Sequence, residues 1–159
     1  MYFDIDKEKL NDARVELQKL IERLYIIYSH HDLQFIYSGN RGFHVKDFDF
    51  VCPKDNNPIK CEQLMGVAKK KMTLEISEPE DQGIEAIDID APISYNTRCI
   101  IRLPQSIHGS TGNLVEIINE NEINNFKPKR ILKLSKLPKA INLSEDIDRL
   151  TKIIRGIGL

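Results

Sequence analysis

The chain opens with Tyr2-Phe3-Asp4-Ile5-Asp6, in which acidic and buried-type apolar side chains alternate. Successive side chains of a β-strand point to opposite faces, so this pattern predicts a strand with both aspartates on one face. From about Lys7 to Tyr28, apolar residues recur every three or four positions, which predicts an amphipathic helix packed on a sheet. A strand followed by a covering helix is typical of a layered fold that combines both element types.

Alternation and turn signals divide the rest of the chain into further elements. The predicted strands are 33–37, 43–51, 86–90, 97–103 and 114–118, and the predicted helices are 58–72 and about 144–156. The order β-α-β-β-α-β-β-β-α predicts an α+β fold with helices on one side of a mixed or antiparallel sheet. Without an internal repeat or a low-complexity linker, the sequence predicts a single domain over residues 1–159.

Composition excludes several classes of protein. Hydrophobic residues make up 41% of the 159 positions and charged residues 30%, an ordinary soluble balance, and the apolar runs are too short to span a bilayer. Asp4, Asp6 and Glu8 stand where a secretory signal would be basic and apolar. Three cysteines without C-x-x-C spacing predict a reducing cytoplasm and no structural zinc. We therefore expect a cytoplasmic protein without a membrane span.

The net charge of −1 conceals an uneven distribution. Residues 1–126 contain 14 Lys and Arg against 21 Asp and Glu, whereas residues 127–159 contain 9 against 3. The basic segment 127–139 has no acidic residue and contains Lys127, Lys129, Arg130, Lys133, Lys136 and Lys139. Such a segment can follow a nucleic-acid backbone, because its cations replace the counterions of the phosphates. The alternative is an ordinary solvated surface.

Three stretches carry groups that bind metals or phosphates. Asp4 and Asp6 are predicted to lie side by side, and their repulsion is relieved by a cation such as Mg²⁺, although an exposed strand also tolerates both. The turn Ser38-Gly39-Asn40-Arg41-Gly42-Phe43-His44 combines glycines with phosphate donors, although it can equally be a plain hairpin turn. In the third stretch, Asp88 and Asp90 precede the segment 102–112, which supplies an arginine, hydroxyls and a histidine. Together these groups suit a metal-bound polyphosphate.

In this order, the three stretches resemble the catalytic small subunit of replicative primases in the archaeo-eukaryotic primase superfamily. Phe3-Asp4-Ile5-Asp6 is similar to the first motif of the family, in which aspartates alternate with hydrophobic residues. Residues 38–45 are similar to the second motif, S-G-x-R-G-x-H. Asp90 and residues 102–112 are similar to the third, in which an aspartate precedes a basic residue, a P-x-S-x-H turn and T-G. The resemblance covers about residues 2–118.

The resemblance implies an RRM-like primase core that makes or extends primers on single-stranded DNA from nucleoside triphosphates. It implies two divalent ions, Mg²⁺ or Mn²⁺, on the catalytic residues Asp4, Asp6 and Asp90, with Asp88 as the alternative to Asp90. The nucleotide-binding residues that it implies are Ser38, Gly39, Arg41, His44, Arg102, Ser106 and His108. It also implies a nucleoid location and a place for a large primase subunit or other replication proteins as partners.

The sequence also departs from the family pattern. Asn40 stands where many members have a second arginine, residues 7–37 lack the cysteines of a zinc-binding knob, and Asp4 lies unusually close to the start. These departures leave a natural minimal protein and an excised core as two alternatives. Three other functional hypotheses stay open: a repair-type primase-polymerase, a catalytically inactive binding module of a replication complex, and an α+β domain whose acidic residues bind no metal.

Overall fold

The structure is a computed structural model, which describes residues 1–51, 57–79, 84–96 and 101–131. Its strands are β1 (Tyr2–Asp6), β2 (Leu33–Tyr37), β3 (Gly42–Asp47) and β4 (Glu116–Ile118). Its helices are α1 (Leu10–Ile26), α2 (Pro58–Ser77), the short α3 (Ala91–Tyr95) and a 3₁₀ helix (Glu120–Asn125). The predicted helix 144–156 and the basic residues Lys133, Lys136 and Lys139 lie outside the described residues.

The four strands form one antiparallel sheet in the order β1-β3-β2-β4. The predicted combination of helices with an antiparallel sheet is therefore confirmed, while the RRM-like topology and the single domain over residues 1–159 stay predictions. Several boundaries differ from the sequence expectation, among them both ends of α1 and the start of β3, which begins at Gly42. β3 ends at Asp47, β4 begins only at Glu116, and α2 continues to Ser77.

Helix α1 covers one face of the sheet and forms most of the core with it. Its buried residues follow the predicted stripe and are Ala13, Leu17, Leu20, Ile21 and Leu24. They belong to one apolar cluster with Phe3 and Ile5, the inward residues of β1. Because side chains alternate along a strand, Asp4 and Asp6 lie on the opposite face, as predicted.

Helix α2 begins at a capped end and is buried only near its other end. The side chain of Asn57 accepts hydrogen bonds from the backbone N–H groups of Ile59 and Lys60, and Pro58 occupies the first turn. Its buried residues, Met72, Thr73 and Ile76, all lie in the last two turns. No helix in the described part of the chain is long and apolar enough to cross a membrane.

The prediction of a strand over residues 86–90 is wrong. Ile87 and Ile89 are buried and Asp88 is exposed, so the alternation is real, but the segment forms no ladder. Asp90 instead caps helix α3, where its side chain accepts a hydrogen bond from the N–H of Ile93 and Pro92 occupies the first turn. A capping aspartate followed by proline favours a helix start over a continuing strand. Residues 101–103 form no strand either, and the first part of that predicted element (97–100) lies outside the described residues.

Candidate functional site

The site is centred on Asp4 and His44, which face each other across β1 and β3. The backbone of Asp4 points away from β3, because its N–H donates to Ser94 Oγ at 3.0 Å and its C=O accepts from the N–H of Asp90 at 2.7 Å. Asp4 and His44 therefore form a non-hydrogen-bonded pair, the kind whose side chains approach most closely. Asp4 Oδ1 lies 3.3 Å from His44 Nε2.

The two other predicted metal ligands lie beside Asp4. Asp90 is attached to β1 by the backbone hydrogen bond, and Asp6 shares the strand face of Asp4. Burial, followed by the negative charges of Asp90 and Asp6, raises the pKa of Asp4 to about 6 against the opposing effect of Arg102. Asp4 and Asp90, which are distant in the sequence, are thus joined by a backbone hydrogen bond at one edge of the sheet.

Arg102 and two histidines complete the charged groups around Asp4. Burial, followed by the positive charge of Arg102, lowers the pKa of His44 to about 4. Burial and Arg102 also lower the pKa of His108. Both imidazoles are therefore neutral near pH 7, and they offer hydrogen bonds rather than positive charge. The fixed positive charge at this place comes from the guanidinium of Arg102.

A cavity of about 330 Å³ opens at this cluster. It is lined by Tyr2, Phe3, Asp4, His44, Ile93, Ser94, Ile101 and Arg102. Its volume is in the range of small-molecule sites, and its apolar walls with a few polar groups are typical of them. The Nδ1 atom of His44 is buried and has no hydrogen-bond partner among the described residues, so a ligand or water is required to satisfy it.

The second and third motifs pack against each other beside this cavity. Gly39 has a φ of +91°, and a Cβ placed there would come within 2.5 Å of the Cβ of His108. Thr111 Oγ1 donates to the carbonyl oxygen of Gly39, and Asn113 Nδ2 donates to the hydroxyl of Tyr37. The close approach of the two turns therefore depends on a residue without a side chain at position 39.

The remaining predicted nucleotide-binding residues differ in their placement. Ser38 is buried at the end of β2, whereas Arg41 is exposed on the turn between β2 and β3. Ser106 Oγ donates to the carbonyl oxygen of Leu103, which stabilises its own turn. The imidazole Nδ1 of His108 lies 3.1 Å from Ser110 Oγ. These observations give both Ser106 and His108 a local contact within the third motif.

Asp88, the alternative to Asp90, points elsewhere. Its side chain is 81% exposed and forms an ion pair with Lys7. Its backbone N–H donates to the side chain of Glu16 on α1. Asp88 and Asp90 are two positions apart, so the sequence predicts both on the same face of a strand. The turn into α3 instead places the two side chains in different surroundings. Asp88 therefore provides a carboxylate control for Asp90.

The donor set suits a cation, although no ligand cage is formed. Within the described ranges, no three His, Cys, Asp or Glu side chains are grouped closely enough to hold one metal ion. The side chain of Asp90 caps α3 through a hydrogen bond of 3.2 Å from the N–H of Ile93. Burial is the main cause of the raised pKa of Asp4, and repulsion from Asp90 and Asp6 adds to it, a repulsion that a divalent ion would relieve. The three carboxylates supply oxygen ligands of the kind that divalent cations take, and binding of such an ion by Asp4, Asp6 and Asp90 stays a prediction.

Two parts of the site were not found by reading the sequence. Ser94 is buried and holds the backbone of Asp4, and Tyr2, Ile93 and Ile101 supply cavity walls. The available signal for Ser94 was the helix start Asp90-Ala91-Pro92, which places a serine one turn after the capping aspartate. Nothing local marked the wall residues, since apolar side chains occur throughout the chain.

The start of the basic segment is tied to the third motif. Asn113 and Arg130 form an antiparallel bridge, and the N–H of Leu114 donates to the carbonyl oxygen of Lys129 at 2.9 Å. Lys127, Lys129 and Arg130 are all exposed. Their role in nucleic-acid binding stays a prediction.

Two curated proteins are similar to parts of this chain. The DNA primase small subunit PriS of Thermoplasma volcanium is 22% identical over 165 aligned positions, which cover 77% of this chain and 50% of that protein. The DNA primase small subunit PriS of Halorubrum lacusprofundi is 32% identical over 66 positions, which cover 41% of this chain and 17% of that protein. No family model matches the chain. The chain thus spans at most about half the length of these relatives, and it resembles part of an archaeal primase small subunit.

Proposed function

We propose that the protein is a primase-type nucleotidyltransferase that makes or extends primers on single-stranded DNA. The observation that carries this proposal is the cavity in which the buried Asp4 faces His44, beside Asp90 and Arg102. Carboxylates next to a guanidinium suit a metal-bound triphosphate. The carboxylates neutralise the charge of the metal ions, and the guanidinium neutralises the charge of the phosphates. The likeness to proteins named DNA primase small subunit supports the same reaction class.

In this proposal, Asp4, Asp6 and Asp90 are the catalytic residues and hold two divalent ions, Mg²⁺ or Mn²⁺. Bound there, such ions lower the pKa of an attacking hydroxyl and neutralise the departing pyrophosphate. The proposed nucleotide-binding groups are Ser38, Gly39, Arg41, His44, Arg102, Ser106 and His108. The arginines supply positive charge, while the neutral histidines supply hydrogen bonds that orient the triphosphate or the sugar.

The proposed partners follow from the same reaction. They are a single-stranded DNA template, nucleoside triphosphates and a larger primase subunit or other replication protein, which places the protein at the nucleoid. The relatives are named small subunits, which supports a partner subunit. Residues 127–130 are exposed beside the third motif and are one proposed contact for the template.

A primer synthesis and extension assay with matched carboxylate variants tests the proposal. The assay uses single-stranded DNA, ribonucleotides or deoxyribonucleotides, and Mg²⁺ or Mn²⁺. We expect Asp90→Asn to lower the rate by at least about 100-fold, more than the loss typical of removing an outer partner of a metal ligand. Asparagine still caps α3, so the helix is expected to remain intact. Asp88→Asn is the control and is expected to stay within about two-fold of wild type, because Asp88 is exposed and paired with Lys7.

The contradicting outcomes are distinct. Equal activity of Asp90→Asn and wild type would exclude Asp90 as a catalytic residue. A wild-type protein that binds nucleotide or DNA without transferring nucleotides would favour the inactive binding module. Similar incorporation of both sugars on DNA ends would favour the repair-type primase-polymerase.

A further inference from the structure

One edge of the sheet carries lysines interleaved with aromatic rings, outside the cluster described above. Lys46 Nζ lies 4.2 Å from the ring centroid of Phe48 and 5.8 Å from that of Tyr2. Lys70 Nζ lies 5.9 Å from the ring centroid of Tyr95, at the end of α3. We call the following residues the lysine-aromatic strip: Tyr2, Lys46, Phe48, Lys69, Lys70 and Tyr95.

The strip is continuous with the candidate site. Tyr2 is paired with Lys46 across β1 and β3. This pair is the neighbour of the Asp4–His44 pair on the same face of the sheet. Tyr2 also lines the 330 Å³ cavity together with Ile93 and Ser94 of α3. Helix α3 packs against both β1 and α2, which carries Lys69 and Lys70. The strip therefore begins at the wall of the cavity and extends away from it along α2 and β3.

The positive charge of the strip is not neutralised within the described residues. There, no carboxylate forms an ion pair with Lys46, Lys69 or Lys70, whereas Lys71 pairs with Glu75 and is left out of the strip for that reason. Burial lowers the pKa of the Met1 amino group, the negative charge of Asp47 opposes this effect, and the charges of Lys69 and Lys46 add to it. Lys46 of β3 and Lys69 of α2 therefore both lie near the Met1 amino group.

The aromatic rings of the strip are accessible. Phe48 is 49% exposed, and Tyr2 and Tyr95 are partly exposed. An exposed aromatic ring beside a cation can accept a planar partner on its free face. Nucleic-acid bases are such partners, because every base has a face that stacks on an aromatic ring, and the phosphates between them pair with lysines.

We propose that the lysine-aromatic strip binds single-stranded DNA and delivers the template strand to the cavity at Asp4. The assignment of the strand as a template rests on the proposed function, whereas the binding itself does not. The strip differs from the basic segment 127–139 in two respects. It carries aromatic rings beside its cations, and its first member, Tyr2, lines the cavity wall.

The test measures binding of a fluorescent oligothymidylate by anisotropy over a series of salt concentrations. We expect the variant Lys46→Glu/Lys70→Glu to bind at least about 10-fold more weakly than wild type near 100 mM salt. The slope of log affinity against log salt is expected to become shallower by about 1.4, since each phosphate contact on a single strand contributes about 0.7. Lys9→Glu is the control, because Lys9 is exposed before α1 on the other side of the sheet, and its affinity is expected to stay within about two-fold.

A second pair of measurements separates stacking from charge. Phe48→Ala is expected to weaken oligothymidylate binding by about 5-fold or more, the loss of one stacked base, and to leave binding of an abasic oligonucleotide unchanged. Circular dichroism and thermal melting of each variant establish that it is folded, and Lys46→Gln replaces any charge-reversal variant that is not. An unchanged affinity and salt slope for the folded lysine variants would overturn the proposal. Because these measurements use binding alone, a wild-type protein without transferase activity would contradict the proposed function and leave this result intact.

Discussion

Replacing Asp4 with asparagine is expected to abolish nucleotidyl transfer and to stabilise the metal-free protein. The side chain of Asp4 is only 15% exposed, whereas Asp6 is exposed. An asparagine of the same shape removes the charge that desolvation, Asp90 and Asp6 disfavour. We expect a loss of activity of at least about 100-fold, because the carboxylate is a proposed ligand rather than an outer partner.

The gain in stability depends on pH with a definite sign. The pKa of Asp4 is about 6 in the folded protein against 3.8 for the ordinary side chain, so folding favours the protonated form. Its contribution to the free energy of unfolding therefore falls as the pH rises from about 4 to about 6. The Asp4→Asn variant lacks this loss, and above pH 7 it is expected to be more stable by about 2 kcal/mol. The two proteins are expected to be similarly stable near pH 4.

His44 contributes to pH dependence in the opposite direction and is present in both proteins. Its pKa is lowered from 6.5 to about 4, so its contribution to stability is lost as the pH falls from about 6.5 to about 4. Comparing wild type with Asp4→Asn by denaturant unfolding at several pH values measures the effect of Asp4 together with its contact to His44. A variant that is less stable than wild type at pH 7.5 in the presence of a chelator would contradict the prediction.

Added Mn²⁺ provides a readout of ion binding that does not need activity. A ligand that binds the folded protein alone raises its stability in proportion to the logarithm of its concentration. The melting temperature of wild type is therefore expected to rise with millimolar Mn²⁺, and that of Asp4→Asn to stay nearly constant. Equal shifts in both proteins would place the bound ion away from Asp4.

Replacing Gly42 with alanine is expected to have the largest effect on stability. Gly42 begins β3 opposite Asp6, and a Cβ placed there would overlap the backbone carbonyl oxygen of Ile5. Neither strand can move away without disturbing the pairing that brings Asp4 to His44. We expect the free energy of unfolding to fall by about 3 kcal/mol or more, as for other substitutions that force the backbone of a packed core to shift.

Gly66→Ala is the matched control for this substitution. Gly66 lies within α2, and a Cβ placed there would meet nothing within 4 Å. Alanine is the better helix former, so this variant is expected to be more stable by about 0.5–1 kcal/mol. Urea unfolding followed by circular dichroism measures both variants. A Gly42→Ala protein as stable as wild type would show that β1 and β3 are not paired as described.

Local sequence patterns were sufficient to predict β1 and the helix that covers it, α1. The alternation in residues 2–6 and the apolar stripe after Leu10 correspond to β1 and α1, because each pattern reflects a face that must be buried. The same rule failed for residues 86–90. Ile87 and Ile89 are buried as the pattern requires, but alternation reports burial and not hydrogen-bonded pairing. The backbone N–H of Asp90 donates to β1, but Pro92 and the cap then start a helix, and Ser94 contacts β1 only through its side-chain hydroxyl.

The sequence by itself determined which groups are available: paired aspartates on one strand face, a glycine-rich turn ending in His44, and an arginine followed by a histidine turn. Only the tertiary structure decided their states. Asp4 and Asp6 share a strand face, yet Asp4 is largely buried while Asp6 is exposed, because Asp90 and Ser94 cover the edge of β1 at Asp4. Burial and neighbouring charge depend on residues distant in the chain. For that reason, the raised pKa of Asp4, the neutral His44 and the separation of Asp90 from Asp88 follow from packing and not from spacing.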